Sequence, residues 1–262
     1  MNRIGLIGGG NMGAALIKGL VGDYNVCVTE KDQRRASFLR RRFGIATLPL
    51  AALTHKARVL VLAVKPQHLN EVLEELNPHV RADHLVVSIA AGVMTSYLEK
   101  RLGTKIRVVR AMPNLPLQIG EGITAVCKGR YAKKSDLDTV CQLFNHVGTT
   151  VTVAEKDMDA VTAVSGSGPA YVFLFAEYLS RTARALGLTE HLTRQLVLRT
   201  LAGSLALMER SKEAPALLRA RVTSKGGTTQ AALRVFTKRK MDKIFKEALT
   251  AAKRRSKELA RR

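Results

Sequence analysis

The sequence predicts an α/β protein, with an amino-terminal parallel sheet covered by helices on both faces and an all-helical domain after it. Two observations carry this prediction. Short runs of Val, Ile and Leu alternate with helical patterns up to about residue 155, which is typical of a doubly covered parallel sheet. Beyond that point the apolar-periodic segments are long and show no strand signal. We therefore predict two domains, at residues 1–155 and 156–262.

The elements follow from this alternation. Strands are predicted at 3–7, 25–29, 59–64, 85–89 and 106–110, with further β structure at about 122–127 and 149–153. Helices are predicted between them, near 11–21, 32–43, 67–76, 95–102 and 135–146. In the second domain helices are predicted over 161–187, 193–209, 229–237 and 241–259.

The most informative motif is the glycine turn after the first strand, where Gly8, Gly10 and Gly13 have the spacing Gly-x-Gly-x-x-Gly. Gly8 permits a tight turn, Gly10 lets backbone approach a pyrophosphate, and Gly13 lets the helix pack close to the strand. The helix that follows, from Asn11 and Met12, turns its free N–H groups and positive dipole end toward an anion. A glycine turn between a strand and a helix therefore predicts a dinucleotide site.

Residues at the carboxyl ends of the other strands are expected to line the same site, because ligands bind parallel sheets at that edge. They are turn formers and small or polar side chains, as expected for backbone that lies close to a flat nicotinamide. The candidates for cofactor contact are Ala63, Val64, Lys65, Pro66, Ala90, Ala91 and Asn114.

Glu30 follows the second strand, where an acid would bind the adenosine ribose diol and favour NAD. Lys31, Arg34 and Arg35 come directly after it and could instead bind a 2′-phosphate. Both readings remain open from the sequence, so the expected cofactor is NADPH or NADH.

Two glycine-rich segments interrupt the helical half, at 165–171 and 223–229. Each precedes an apolar-periodic stretch, so each can present hydroxyls and backbone N–H groups at a helix start. Two such segments predict a receptor for a small carboxylate substrate.

The composition also bears on whether the protein binds nucleic acid or a metal ion. The chain carries a net charge of +22, and residues 191–262 hold 19 Lys and Arg against 5 Asp and Glu, which is +14 of that total. We interpret this charge as a solvated helix surface, because no nucleic-acid motif accompanies it. The six histidines show no metal-ligand pairing, so no metal is expected.

The location and assembly are also expectations. Three scattered cysteines fit a reducing cytoplasm. A core strand beginning at residue 3 argues against a cleaved signal peptide, and no apolar run is long enough for a membrane span. The helical half is too short to bury its wide apolar faces alone, so we expect a homodimer through it.

Six segments in order resemble the pyrroline-5-carboxylate reductase family over nearly the whole chain. They are the Gly8–Gly13 turn, 63–67, 88–92, 110–114, 165–171 and 224–229. The resemblance implies a Rossmann-like domain followed by an all-α dimerisation domain that interlocks in dimers, often assembled further into decamers. It implies reduction of the cyclic imine of 1-pyrroline-5-carboxylate to L-proline by NADPH or NADH, in proline biosynthesis.

The same resemblance assigns roles in the helical half. Thr229 would be the catalytic hydroxyl, directed to the ring nitrogen of the substrate. Ser224, Gly227 and Thr228 would bind the substrate carboxylate, and Tyr171 would shape the wall of the site. The chain departs from the family at Lys225, where proline is usual. It also departs at Lys212, where an acid is usual, and at Leu50, where asparagine is frequent.

Two other functions compete with this one. A β-hydroxyacid dehydrogenase would need a lysine on the first helix of the second domain, and residues 171–177 contain none. A non-catalytic NAD(P)-binding or basic nucleic-acid-binding relative of the same fold is the second alternative, suggested by Lys225, Lys212 and the net charge.

Overall fold

The computed structural model describes residues 3–103 and 105–259; the outer ends of the two predicted domains, at 1 and 262, lie outside this range. Its described strands are β1 (Arg3–Ile7), β2 (Asn25–Thr29), β3 (Ala46–Thr47), β4 (Val59–Leu62), β5 (Leu85–Ser88), β6 (Arg107–Met112), β7 (Gly122–Lys128) and β8 (Gly148–Thr152). The helices among them are α1 (Asn11–Leu20), α2 (Gln33–Phe43), α3 (Leu50–Lys56), α4 (Leu69–Leu76), α5 (Thr95–Leu102) and α6 (Lys134–Asn145).

The strands form one sheet in the order β3-β2-β1-β4-β5-β6-β7-β8, and only β7 runs antiparallel to a neighbour, β6, among the described pairings. The chain proceeds outward in one direction from β1 and in the other from β4. The gap between the ends of these two central strands is therefore the topological switch point, where open α/β sheets bind ligands. The predicted fold class is confirmed.

Three features of the sheet half differ from the prediction. The two residues of β3 and the seven of α3 were not predicted, because neither is long enough to show a period. The antiparallel direction of β7 was also not predicted. Nine residues separate it from β6, and a parallel crossover needs a dozen or more.

The core lies on both faces of the sheet because alternate side chains of each strand point to opposite faces. On β4, Val59 and Val61 join one buried cluster, with Leu16 of α1 and Phe144 of α6. Leu60 and Leu62 join a second cluster on the other face, built with residues from α3, α4 and α5. Full burial on both faces explains the continuous apolar runs in the sequence.

The described residues after β8 form no further strand. They contain α7 (Met158–Val161), a π-helical turn at Thr162–Gly166, α8 (Gly168–Ala185), α9 (Glu190–Ser211), α10 (Pro215–Arg221), α11 (Thr228–Lys238) and α12 (Met241–Leu259). The helices predicted at 193–209, 229–237 and 241–259 are present as α9, α11 and α12. The helix predicted at 161–187 begins only at Gly168, after the π-helical turn, and α10 was missed. None of the described helices has the length and apolar character needed to cross a membrane.

The chain divides into two compact units, one of Met1–Pro169 with Ala251–Arg262 and one of Ala170–Thr250. This division falls inside α8 and α12, and the functional boundary at 155 stays a prediction. Many large apolar side chains of the second unit are exposed in the single chain. They include Phe173, Phe175, Tyr178, Leu198, Leu205 and Phe236. Such a surface is typical of an interface with another chain.

A buried arginine links the sheet to the last turns of α12 within the first unit. Arg110 of β6 is 2% exposed, and its Nη1 lies 3.7 Å from Glu155 Oε1 while Nη2 lies 3.9 Å from Asp159 Oδ1. Ser256 of α12 donates a hydrogen bond of 2.7 Å to Asp159 Oδ1. The two carboxylates offset the charge of the buried guanidinium.

We expect thiol reagents to distinguish the three free cysteines. Burial raises the pKa of the Cys127 thiol to about 12 and also raises the pKa of Cys27, whereas Cys141 is only half-buried. Because the thiolate is the reactive form, Cys141 should react first in the folded protein at mildly alkaline pH. Mass spectrometry after a short alkylation checks this, and rapid labelling of Cys127 would contradict it.

Candidate functional site

The glycine turn has the geometry that its sequence predicts. Gly8 has φ +100°, a conformation that L side chains rarely adopt, and a Cβ on Gly8 would lie 2.8 Å from the Ala63 carbonyl oxygen. A Cβ on Gly13 would overlap the Gly8 carbonyl oxygen. Gly8 therefore permits the turn, and Gly13 lets α1 lie against it.

Gly10 differs from the other two glycines. It lines the cavity above the turn, and a Cβ there would meet no atom of the described residues within 4 Å, its chain neighbours aside. Gly10 also precedes α1, whose start has no capping side chain. The first N–H groups of the helix are consequently left for an anion, which fits the pyrophosphate of a dinucleotide.

The cavity at the switch point has a volume of about 630 Å³. It brings together seven of the predicted cofactor-contacting residues: Gly8, Gly10, Asn11, Glu30, Ala63, Val64 and Lys65. They come from the ends of β1, β2 and β4, which the parallel sheet places side by side. The cavity is large enough for part of a dinucleotide.

The other predicted cofactor-contacting residues do not line this cavity. Met12 packs against the core and Gly13 is buried in α1. Pro66 begins a short 3₁₀ turn after β4 and lines a separate hollow. Ala90 is buried after β5, and Ala91 is half-buried. Their contacts with a cofactor stay predictions.

Asn114 is also absent from the cavity, and its side chain is engaged elsewhere. Its Oδ1 accepts a 3.0 Å hydrogen bond from the Ile123 N–H, and its Nδ2 lies 3.5 Å from the Ser165 hydroxyl. Asn114 thereby joins the end of β6 to the π-helical turn at Thr162–Gly166. A Cβ on Gly166 would press on the Met112 side chain, so this glycine keeps the turn close to β6.

Four cavity residues on or beside α4 were missed by sequence reasoning: His68, Glu71, Val72 and Glu75. Their spacing carried a signal. The pairs 68/72 and 71/75 are four residues apart, so each pair shares a helix face, and the helix follows the strand end at Lys65. The sequence predicts a helix here, between two strands of the sheet. Its pattern gives no reason to expect that this helix face lines the cofactor cavity.

Glu30 occupies the predicted position at the end of β2. Its Oε2 accepts a 2.7 Å hydrogen bond from the Gly9 N–H, and its Oε1 accepts a 3.0 Å hydrogen bond from the Asp32 N–H. Both oxygens are therefore fixed by backbone, and the half-buried carboxylate is oriented before any ligand binds.

The predicted substrate loop joins α10 to α11. Gly226 has φ +75°, and its N–H donates to Gln230 Oε1 at 2.9 Å. The Gly227 N–H donates to the Ser224 carbonyl oxygen at 3.1 Å, and a Cβ on Gly227 would overlap the Ser224 hydroxyl. Gly227 thus makes room for the Ser224 side chain and already uses its own N–H in the turn.

Thr228 and Thr229 are the first two residues of α11, after Gly227 at the cap position. N–H groups at a helix start have no partner one turn back in the helix, so they are suited to a carboxylate. Thr229 is half-buried, while Ser224, Lys225 and Thr228 are exposed. The loop therefore brings four of the predicted residues together, and the fifth, Tyr171, lies half-buried in the first turn of α8.

Within the part of the chain that the structure describes, no group of three or more His, Cys, Asp or Glu residues is arranged to hold a metal ion. The charged groups that line the cavity are carboxylates together with ammonium and guanidinium groups.

Comparisons with known proteins agree with this architecture. A family model described as "Pyrroline-5-carboxylate reductase dimerisation" matches residues 155–259, and one described as "NADP oxidoreductase coenzyme F420-dependent" matches residues 3–92. The first supports the predicted pairing of two copies through the helical half. The second covers the glycine turn and the strand ends up to Gly92.

Relatives that match over their full length also agree with this architecture. A pyrroline-5-carboxylate reductase of Corynebacterium melassecola is 38% identical over 100% of both chains. The structure of a pyrroline-5-carboxylate reductase from Coxiella burnetii has a TM-score of 0.89 at 36% identity, covering 99% of this chain and 98% of that one. A Plasmodium falciparum pyrroline carboxylate reductase with NADP bound has a TM-score of 0.90 at 30% identity, covering 99% and 98%.

These findings do not favour the alternative of a non-catalytic or nucleic-acid-binding relative. The similarity to a pyrroline-5-carboxylate reductase covers the full length of the chain, and the two family models match residues 3–92 and 155–259. The chain therefore belongs to the pyrroline-5-carboxylate reductase family.

Proposed function

We propose that this chain reduces the C=N bond of 1-pyrroline-5-carboxylate to give L-proline, with NADH or NADPH as reductant. The full-length similarity to pyrroline-5-carboxylate reductases is the observation that carries the choice of substrate. In the reaction the imine carbon accepts a hydride and the imine nitrogen ends with a proton, so the ring becomes a secondary amine.

The cofactor would be held at the switch point of the sheet. Gly8, Gly10 and Asn11 would receive the pyrophosphate at the start of α1, and Glu30 would bind the adenosine ribose. The residues that follow β4 and β5, at 63–66 and 90–91, would form the nicotinamide side together with Asn114, which follows β6. The bound cofactor supplies the hydride, and the task of these residues is to fix its position and exclude water.

The substrate carboxylate would be bound by the loop before α11. Ser224 offers its hydroxyl and Thr228 a helix-start N–H, while Gly227 keeps the space that the Ser224 side chain occupies. Lys225 is exposed beside them and adds a positive charge near an anionic ligand. Tyr171 would form part of the wall.

Thr229 would orient the substrate ring and deliver the proton. Its hydroxyl can donate a hydrogen bond to the ring nitrogen, and its place in the first turn of α11 keeps it next to the carboxylate-binding groups. The role is that of an oriented donor and not of a nucleophile.

We further propose that residues 1–155 bind the cofactor and residues 156–262 bind the substrate and form the homodimer. The start of the dimerisation-family match at residue 155 and the exposed apolar side chains of the second unit support this division. A cytoplasmic location is supported by three cysteines that are all free thiols.

The proposed function is tested by measuring cofactor oxidation and proline formation in the same reaction. Purified protein is mixed with pyrroline-5-carboxylate and either NADH or NADPH, and the absorbance of the reduced nicotinamide is followed while proline is quantified. We expect proline to form in equal amount to the cofactor oxidised. Absence of proline with both cofactors would overturn the proposal.

Replacing Gly227 with alanine should weaken substrate binding more than cofactor binding. The new Cβ would displace the Ser224 hydroxyl, so KM for pyrroline-5-carboxylate should rise by about tenfold. Gly203→Ala is the matched control, because a Cβ on this helical glycine meets no atom within 4 Å among the described residues of its own chain. An unchanged KM in Gly227→Ala would remove the Ser224–Gly227 turn from the binding site.

A further inference from the structure

The cofactor cavity contains a group of charges around Lys31 that the proposed function does not use. Lys31 follows Glu30 at the end of β2, and Glu71 and Glu75 lie on the facing side of the same cavity, on α4. These three side chains line the same cavity as Glu30, so an adenosine ribose bound by Glu30 would carry its 2′ substituent near them. They therefore bear on the choice between NADH and NADPH.

Lys31 is the most direct candidate to bind a 2′-phosphate, but its ammonium group is already paired. Its Nζ lies 2.7 Å from Glu71 Oε1 and 3.7 Å from Glu75 Oε2. The hydrogen bond raises the pKa of Lys31 and lowers the pKa of Glu71, which keeps both groups charged. A phosphate at this place would meet two carboxylates as well as the lysine.

The two arginines nearby do not replace it. Arg35 lines the cavity, but its Nε donates a 2.6 Å hydrogen bond to the Gly9 carbonyl oxygen, and its guanidinium lies over the Phe38 ring. Arg34 is exposed and is not among the residues that line the cavity. The Glu30 carboxylate, held by two backbone N–H groups, completes a surface that suits a neutral diol and repels an added dianion.

We propose that this chain prefers NADH, and that Glu71 and Glu75 determine this specificity by holding Lys31 away from a 2′-phosphate. The inference rests on the proposed function for its cofactor class. It goes further by assigning a role to the α4 carboxylates, which act through Lys31 and not by contact with the reacting atoms.

The test compares dissociation constants, so it does not depend on turnover. NADH and NADPH are titrated separately into the full-length protein at fixed ionic strength, and their fluorescence reports binding. In the unmodified protein we expect NADH to bind about tenfold tighter than NADPH. In Glu71→Gln/Glu75→Gln we expect the ratio to move about tenfold toward NADPH, because Lys31 is released to form a charge-assisted bond with the phosphate.

Two further variants separate this mechanism from a general change in charge. Glu74→Gln is the matched control, since Glu74 lies on the same helix but pairs with Arg101, 3.7 Å away, and does not line the cavity; its ratio should stay unchanged. Adding Lys31→Gln to the double variant should cancel the gain for NADPH.

Three results would overturn the inference. They are equal or tighter NADPH binding by the unmodified protein, an unchanged ratio in the double variant, or a gain that survives loss of Lys31. Failure of the proposed function would look different, because both cofactors would bind with the expected ratio while no proline formed.

Discussion

Replacing Thr229 with alanine is expected to lower kcat for imine reduction by roughly ten- to a thousandfold, the range for losing one oriented donor. The binding of NADH or NADPH should be unaffected, because the cofactor cavity lies at the strand ends and not in the loop before α11. Thr229→Ser keeps a hydroxyl at the same helix position and should recover most of the activity.

The control for this experiment is the same substitution near the other end of α11. Thr237 is exposed in the last turn of that helix, so Thr237→Ala makes the same chemical change away from the predicted site. Steady-state kinetics with saturating cofactor measures kcat and KM for all three variants. Normal turnover in Thr229→Ala would remove this hydroxyl from the mechanism and leave orientation to the helix-start N–H groups.

Replacing Gly10 with valine is expected to weaken cofactor binding strongly while the protein stays folded. Gly10 has φ −58°, which any L residue can adopt, and a Cβ at this position would lie more than 4 Å from the described residues other than its chain neighbours. The valine side chain would occupy the space where backbone must approach the pyrophosphate, so the dissociation constants of both cofactors should rise on the order of a hundredfold.

Gly13→Ala provides the contrast. A Cβ at Gly13 overlaps the Gly8 carbonyl oxygen, so this variant should lose about 1–3 kcal/mol of stability in addition to any loss of binding. Thermal unfolding and fluorescence titration together separate the two effects. A Gly10→Val protein that retains cofactor affinity would show that the pyrophosphate does not bind at the glycine turn.

The order of the elements could be predicted from the sequence because this sheet is buried on both faces. Continuous apolar runs such as β4 and β5 have few alternative structures, and each is followed by a helix with a clear period. The short β3, α3 and α10 could not be predicted, since two to seven residues do not show a period. Local pattern also says nothing about the direction of β7, which depends on the length of the connection before it.

The site was predicted where backbone geometry makes strict demands on residue type. Gly8 and Gly10 are needed for a turn and for close approach, so their spacing already indicated what they do. Asn114 could not be assigned in the same way. An asparagine has several hydrogen-bonding groups, and only the structure shows them directed to Ile123 and Ser165.

The charges around Lys31 were the least predictable part of the candidate site. Lys31, Arg34 and Arg35 fall within five consecutive residues, and together they favoured a 2′-phosphate as strongly as Glu30 favoured a diol. The structure separates them, because Lys31 is paired across 40 positions with Glu71. Ion pairs between distant segments depend on the tertiary fold, and a single sequence does not reveal them.

We propose that the hydroxyl of Thr229, in its own subunit or in the partner subunit, contacts a small cyclic acid beside the nicotinamide. A crystal structure of the protein with oxidised cofactor and proline measures this directly. We expect the Thr229 hydroxyl to lie within about 2.6–3.2 Å of the proline ring nitrogen, which is the reach of a hydrogen bond. A structure in which Thr229 of both subunits lies far from every nicotinamide ring would contradict it.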